Sequence, residues 1–66
     1  MKMIPVSSSA ISAIGYEEPT RRMAVRFKQG KTYAFCRVPR SVFQAFLHSS
    51  SKGAYYDQYI RDRYQC

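Results

Sequence analysis

The sequence predicts an α+β domain in which a three-stranded antiparallel β-meander is followed by two helices packed on one face of the sheet. The chain has 66 residues, which is enough for a single small domain spanning 1–66. Strand-like alternation and turn residues occupy the part before Pro39, and apolar residues at helical spacing occupy the part after it. Strands that precede helices in this way are typical of a layered α+β fold.

The first predicted strand covers residues 11–16, which are small and apolar. Residues 1–7 before it are expected to be a frayed lead-in. Residues 17–20 predict a turn, because Pro19 has a fixed φ and disfavours a helical conformation of the residue before it. The meander therefore starts after an N-terminal segment without regular structure.

The second and third predicted strands form a hairpin. Residues 22–28 alternate between apolar and charged side chains, with Met23, Val25 and Phe27 on one side, which is typical of a half-buried strand. Gln29-Gly30 predicts a two-residue loop. The return strand covers residues 31–38 and ends at Pro39.

Two helices are predicted after the hairpin. Pro39 is suited to the first position of a helix, and the apolar stripe that follows is Val42, Phe43, Phe46 and Leu47. Ser51 is the predicted N-cap of a second helix that runs to about Arg63. The stripe of this second helix is Tyr55, Tyr56, Tyr59 and Ile60. Both stripes are expected to cover the same face of the sheet.

The charge balance favours an anionic partner. The chain has 11 lysines and arginines against four acidic residues, a net charge of +7. This argues against an acidic buffer protein and favours nucleic acid, an acidic protein surface or anionic lipid. The sequence shows no signal peptide and no apolar run long enough to span a membrane, so a cytoplasmic domain that does not bind membranes is expected.

The predicted hairpin register places cations and aromatic rings together. With a two-residue loop, one face of the sheet is apolar and receives the helices. The other face is then exposed and carries Arg22, Ala24, Arg26, Lys28, Lys31, Tyr33, Phe35 and Arg37. Aromatic rings stack on bases and cations hold phosphates, so this face is a candidate platform for single-stranded nucleic acid.

An alternative register gives a different interpretation of the same residues. A three-residue loop with a bulge would turn one strand over and direct Tyr33 and Phe35 inward. Those rings would then belong to the core, and the cations would form a solvated surface that keeps a small protein soluble.

A second candidate anion site is the start of the second helix. Ser51-Lys52-Gly53 would offer free backbone N–H groups, the charge of Lys52 and close access at Gly53. The alternative is an ordinary helix cap.

The sequence favours neither catalysis nor a metal or other cofactor. His48 is the only histidine, and no nucleophile–base pair is evident beside it. Cys36, His48 and Cys66 lack the spacing of a metal site, and two cysteines are too few for a disulfide framework or structural zinc. We therefore expect a domain that is not an enzyme.

The chain resembles the KTSC domain over roughly residues 8–64. The matching features are the segment 8–16, Tyr33-Ala34-Phe35, Val38-Pro39, Ser51-Lys52-Gly53, and Tyr55-Tyr56 followed by residues 60–64. The sequence differs by having Phe35 where the family usually has a second tyrosine, with Cys36 beside it. The resemblance implies a small bacterial or phage domain, also found at the C-terminus of some lysyl-tRNA synthetases, for which RNA binding has been suggested.

Composition and resemblance together predict a nucleic-acid-binding module, with RNA favoured over DNA. The candidate binding residues are Arg22, Arg26, Lys28, Lys31, Tyr33, Phe35, Arg37, Lys52 and Gly53. The alternative is a protein-binding adaptor, or a phage or mobile-element inhibitor, whose cationic face docks on an acidic partner. No small-molecule substrate is indicated.

Overall fold

A computed structural model describes all 66 residues and has four antiparallel strands followed by two helices. The strands follow one another across the sheet in chain order. They are β1 (Met3–Pro5), β2 (Ile11–Glu17), β3 (Arg22–Phe27) and β4 (Thr32–Phe35). The helices are α1 (Arg40–Leu47) and α2 (Lys52–Tyr55), and a π-helical turn, Tyr56–Ile60, continues α2. The α+β class is confirmed, with one strand more than predicted.

The additional strand is β1, which lies in the segment expected to be a frayed lead-in. It pairs with β2, with Ile4 opposite Ile14 and Met3 opposite Gly15. Pro5 has no N–H, which an edge strand tolerates because one side of its backbone faces solvent. Gly15 has no side chain, and a Cβ there would lie 2.5 Å from the Met3 Sδ. The N-terminal residues therefore cover the β2 backbone at this point.

The β3–β4 hairpin has a three-residue loop instead of the predicted two-residue loop. The Phe27 N–H donates to the Lys31 carbonyl at 2.8 Å, and the Gly30 N–H donates to the Phe27 carbonyl at 2.9 Å. Gly30 has a φ of +106°, which supplies the bulge that closes a loop of this length. The pairing is thereby shifted by one residue, so that Val25 lies opposite Tyr33.

This shift turns β4 over relative to the prediction. Because cross-strand partners share a face, Tyr33 and Phe35 lie on the same side as Val25 and Met23. Phe35 is 6% exposed and belongs to the core. The predicted face that combined cations with Tyr33 and Phe35 is therefore wrong, because a one-residue slip exchanges the two faces of a strand.

The helices pack on the face that carries Met23 and Val25. Pro39 is the N-cap of α1, with an extended ψ of 146°, so the helix begins one residue after the predicted start. The second helical segment ends at Ile60, earlier than the predicted Arg63, because Arg61 leaves helical geometry with a ψ of 129°. The buried cluster between sheet and helices consists of Ile11, Ile14, Met23, Val25, Phe35, Val38, Phe46 and Ile60.

The C-terminal residues are attached to the end of β4. The Cys36 N–H donates to the Tyr64 carbonyl at 2.8 Å. Cys36 and Cys66 form a disulfide bond with a Cα–Cα distance of 4.9 Å. The two cysteines, too few for a framework, thus form one bond that holds the tail against the sheet.

Candidate nucleic-acid interface

The β3–β4 hairpin and its flanks concentrate the positive charge of the molecule. Six of the 11 lysines and arginines lie within residues 21–37, and no acidic residue lies between Glu18 and Asp57. We call these six the cationic hairpin: Arg21, Arg22, Arg26, Lys28, Lys31 and Arg37. All six are exposed. None forms an ion pair, because the ion pairs of the chain involve only Arg40 and Arg61.

Arg22 and Arg26 lie on the face of β3 that the helices leave open. Their neighbours in β3 on the other face, Met23 and Val25, are fully buried, whereas both arginines are exposed. Glu17 lies opposite Arg22 in β2. Its carboxylate accepts a hydrogen bond from the Thr20 hydroxyl at 2.7 Å and forms no ion pair. The arginines are therefore available to an external anion.

Small side chains surround these arginines. Ala24 lies between them in β3 and pairs with Ala34, and Arg26 pairs with Thr32. On the β4 side of the arginines this surface is flat, which lets an extended phosphate backbone approach closely. On the β2 side, the side chains of Met1 and Met3 cover Gly15, which lies opposite Ala24.

Arg37 extends this cationic surface at the far end of β4. Arg22 and Arg37 line one open hollow of about 540 Å³, together with the disulfide. Arg37 has a φ of 58°, as does Arg21, and the Val38 N–H donates to the Arg21 carbonyl at 2.9 Å. The paired turns hold both arginines at the end of the hairpin opposite its loop. Lys28 and Lys31 flank the loop end.

The aromatic residues form a separate feature at the free edge of β4. The rings of Tyr33 and Tyr56 both meet Phe27 edge to face, with centroids 5.5 and 5.0 Å from the Phe27 centroid. Phe35 meets Tyr56 in the same way at 5.9 Å. Tyr33 is 42% exposed, whereas Phe35 is buried. Of the two aromatic residues predicted to bind, only Tyr33 is available.

A groove runs along this edge between β4, the π-helical turn and the C-terminal tail. Its volume is about 490 Å³. We call it the edge groove; its lining includes Phe27, Tyr33, Ala34, Tyr56, Arg61 and Gln65. Burial and the neighbouring Tyr33 raise the pKa of the Tyr56 phenol above its ordinary value.

The start of α2 does not join these surfaces. The Lys52 ammonium donates to the Ser49 carbonyl at 2.9 Å. Ser51 precedes the helix but makes no side-chain cap hydrogen bond. Gly53 has no atom within 4 Å of an added Cβ. Since α2 lies in the helical layer, Lys52 and Gly53 are on the opposite side of the sheet from Arg22 and Arg26.

Few side chains in this structure are of the types that serve as metal ligands or catalytic groups. No three His, Cys, Asp or Glu side chains come together in a way that could hold a metal ion. His48 is exposed at the end of α1. None of the helices combines the length and the apolar character needed to cross a membrane.

The edge groove is the feature that the sequence analysis missed. Tyr56 was interpreted as part of an apolar helical stripe, and Gln65 and Cys66 lie in the last residues of the chain. The tail reaches β4 through the Cys36–Cys66 bond. Those two cysteines were the available signal, because a bond between them brings residue 66 to the end of β4.

Comparison with known proteins agrees with these features of the fold. The sequence profile of the KTSC domain matches residues 7–64. A protein of Tsukamurella paurometabola is 38% identical over 63 residues, covering 96% of this chain and 94% of its own. The crystal structure of a KTSC domain protein from Yersinia pestis superposes with a TM-score of 0.94 at 35% identity, covering 98% of this chain and 92% of the other.

A further similarity is to much longer proteins. A lysine–tRNA ligase of Nostoc punctiforme is 25% identical over 63 residues, which cover 96% of this chain but 11% of the ligase. The chain thus corresponds to a small part of that enzyme. The match of the family profile over most of the chain and the close structural superposition lead to one conclusion: this chain belongs to the KTSC domain family.

Proposed function

We propose that this chain is a non-catalytic RNA-binding domain that holds the sugar-phosphate backbone of a single strand on the cationic hairpin. The observation that carries the proposal is the set of six exposed cations within residues 21–37, none of which is neutralised by an acidic side chain. Unpaired cations concentrated on one hairpin attract polyanions, because binding releases the counterions condensed on the phosphates.

The shape of the hairpin favours a strand over a compact anion. Lys31 and Arg37 flank β4 at its two ends, and Arg22 and Arg26 lie four positions apart on β3. A four-residue strand is roughly 13 Å long at about 3.3 Å per residue, which spans several phosphates but exceeds a single one. A chain of phosphates can therefore contact both ends together.

The similarity to lysine–tRNA ligases favours RNA over DNA as the polyanion. Those relatives are named for a reaction on a tRNA, and each contains a segment of 63 residues that is 25–27% identical to this chain. A basic domain within such an enzyme has an RNA within reach, and the exposed cations of the present chain are suited to the same class of partner.

The direct experiment is a titration of fluorescein-labelled single-stranded RNA, followed by fluorescence anisotropy at about 50 and 200 mM salt. We expect a dissociation constant in the micromolar range at the lower salt and a steep loss of affinity at the higher salt. The double substitution Arg22→Gln/Arg26→Gln should weaken binding and reduce the slope of log K against log salt by about 0.7 for each lost phosphate contact.

Arg40→Gln is the matched control for charge. Arg40 is exposed on α1 and already pairs with Glu18 at 3.6 Å, so the substitution removes the same formal charge from outside the cationic hairpin. We expect Arg40→Gln to lower the affinity for RNA much less than a single substitution at Arg22 or Arg26 does. Equal losses from Arg40→Gln and Arg26→Gln would indicate attraction by net charge alone and would contradict a defined interface. Absence of RNA binding at the lower salt would leave an acidic protein surface as the partner class.

A further inference from the structure

We propose that the edge groove is a binding site for one unstacked nucleobase of the bound strand. The inference rests on the proposed RNA-binding function and adds a base-binding element to it. The groove combines two features that a base requires: exposed aromatic surface, and a backbone donor and acceptor. Its lining also includes Arg61, which pairs with Asp57 and Asp62.

The aromatic surface comes from both walls of the groove. Tyr33 on β4 and Tyr56 in the π-helical turn both pack edge to face against Phe27. Packing against a shared ring fixes the orientation of both tyrosines. Tyr33 keeps 42% of its surface exposed, so a planar ligand can stack on a ring that is already positioned.

The backbone donor and acceptor come from Ala34. Hydrogen bonds of an antiparallel pair alternate between the two sides of each strand. Lys31 faces β3, since its carbonyl accepts from Phe27, and Cys36 faces away, since its N–H donates to Tyr64. Ala34 has the same orientation as Cys36 and therefore directs its N–H and carbonyl into the groove. A neighbouring donor and acceptor complement the polar edge of a base.

The free edge of β4 is long enough to bind a base but too short to pair with a peptide strand. A peptide that adds a strand to β4 would need a run of outward-facing residues. Here the tail occupies Cys36, so only Thr32 and Ala34 remain free on this edge. A base needs the N–H and carbonyl of one residue, which the groove offers.

The test distinguishes binding of the nucleobase from binding of the sugar-phosphate backbone. Two fluorescein-labelled octamers are titrated by anisotropy at about 50 mM salt: oligouridine, and an octamer of abasic ribose phosphate. We expect the parent to bind oligouridine more tightly. Tyr33→Leu should weaken oligouridine binding by about 5- to 150-fold, the range of one lost base stack, and leave abasic binding unchanged. Tyr33→Phe, which keeps the ring, should bind both octamers as the parent does.

The outcomes distinguish this inference from the proposed function. If the parent binds both octamers equally, or Tyr33→Leu weakens both equally, the base site is refuted and backbone binding remains. If the parent binds neither, both proposals are refuted. If it binds neither octamer but binds an acidic decapeptide, the partner class is an acidic protein surface instead.

Crosslinking of the unsubstituted protein gives a readout that does not depend on whether Tyr33→Leu folds. A 4-thiouridine octamer is irradiated in the complex, and the modified peptides are identified by mass spectrometry. Adducts on the peptides that contain Tyr33 or Tyr56 are expected. Adducts confined to β1 or α1 would refute the base site.

Discussion

The two faces of the sheet differ in what they bury and in what they leave available. On the helix-covered face, Met23 and Val25 are fully buried. On the open face of the same strand, Arg22 and Arg26 are exposed and unpaired. Adjacent residues of β3 thus serve different purposes, because successive side chains of a strand point to opposite sides.

This contrast shows where the free energy of folding resides and which residues remain free for binding. Burial of apolar side chains is the main favourable contribution to folding, and it lies almost entirely on the covered face. Arg22 and Arg26 on the open face bury no apolar surface against the helices and so are free to contact a partner. The edge groove lies at the margin of the covered face, where Tyr33 is only partly buried. Through Tyr33, this groove gives the β3–β4 hairpin an aromatic ring that reaches solvent.

The strongest test of the contrast is Phe46→Ala on the covered side. Phe46 is fully buried and its ring stacks on Tyr55 with centroids 5.5 Å apart. The substitution should lower the free energy of unfolding by about 3–5 kcal/mol, from lost burial and the cavity left behind. Urea denaturation measures this loss, which in a small domain approaches the whole stability.

Tyr59→Ala is the control on the helical layer, because Tyr59 is 51% exposed. It should cost less than about 1 kcal/mol. A Phe46→Ala variant as stable as Tyr59→Ala would contradict the described packing of α1 on the sheet.

The disulfide provides a test that separates burial from covalent constraint. The Cys36–Cys66 bond joins residues 30 apart in sequence, and the side chain of Cys36 belongs to the open face. Closing a loop of this length in the unfolded chain should stabilise the fold by about 3–4 kcal/mol on the chain-entropy estimate. Thermal denaturation with and without dithiothreitol should show a lower Tm on reduction.

The variant Cys36→Ser/Cys66→Ser isolates the bond from other effects of the reductant. It should melt like the reduced parent, and dithiothreitol should not change its Tm. A parent whose Tm is unaffected by reduction would contradict the stabilising role of the bond.

The accuracy of the sequence-based predictions also depends on how clearly each segment distinguishes a buried face from an exposed one. The strand at 22–28 was predicted well because its apolar and charged residues alternate without ambiguity. The first strand and the helix start next to Pro39 were also predicted, from an apolar run and from the fixed φ of proline. Met3–Pro5 was missed because a three-residue strand with a proline has almost no alternation to detect.

The register of β4 could not be decided from its own residues. Tyr33, Ala34 and Phe35 are apolar or amphipathic, so either face of this strand could have been the buried one. The loop decided the register, and Gln29-Gly30 is compatible with both a two-residue and a three-residue loop. The candidate site changed accordingly: Arg22 and Arg26 kept their exposed face, Lys31 stayed exposed but turned to the side of Tyr33, and Phe35 moved to the core.

Gly30→Ala tests the loop that set this register. Gly30 has a φ of +106°, and an added Cβ would meet no atom within 4 Å, so any cost comes from backbone strain alone. We expect a loss of about 1–2 kcal/mol in the free energy of unfolding.

Gly53→Ala is a matched control for the loop substitution. Its Cβ would also meet nothing within 4 Å, but Gly53 lies in α2. Alanine should be neutral or stabilise by up to about 1 kcal/mol there, because glycine is the poorer helix former. Equal effects at both glycines would contradict the strained loop.

The smallest expected change in stability belongs to Arg26→Gln on the open face. Arg26 is exposed, forms no ion pair and faces Thr32 across the hairpin, so no native contact of its charge is lost. Its charge is repelled by the other five cations of the cationic hairpin, so removing it should leave the free energy of unfolding within about 0.5 kcal/mol of the parent or slightly above it. Any gain should diminish in high salt, because ions screen repulsion between exposed charges. Urea denaturation at about 50 and 500 mM salt measures both effects. A loss larger than about 1 kcal/mol would mean that Arg26 stabilises the fold, and the open face would then not be free for a partner.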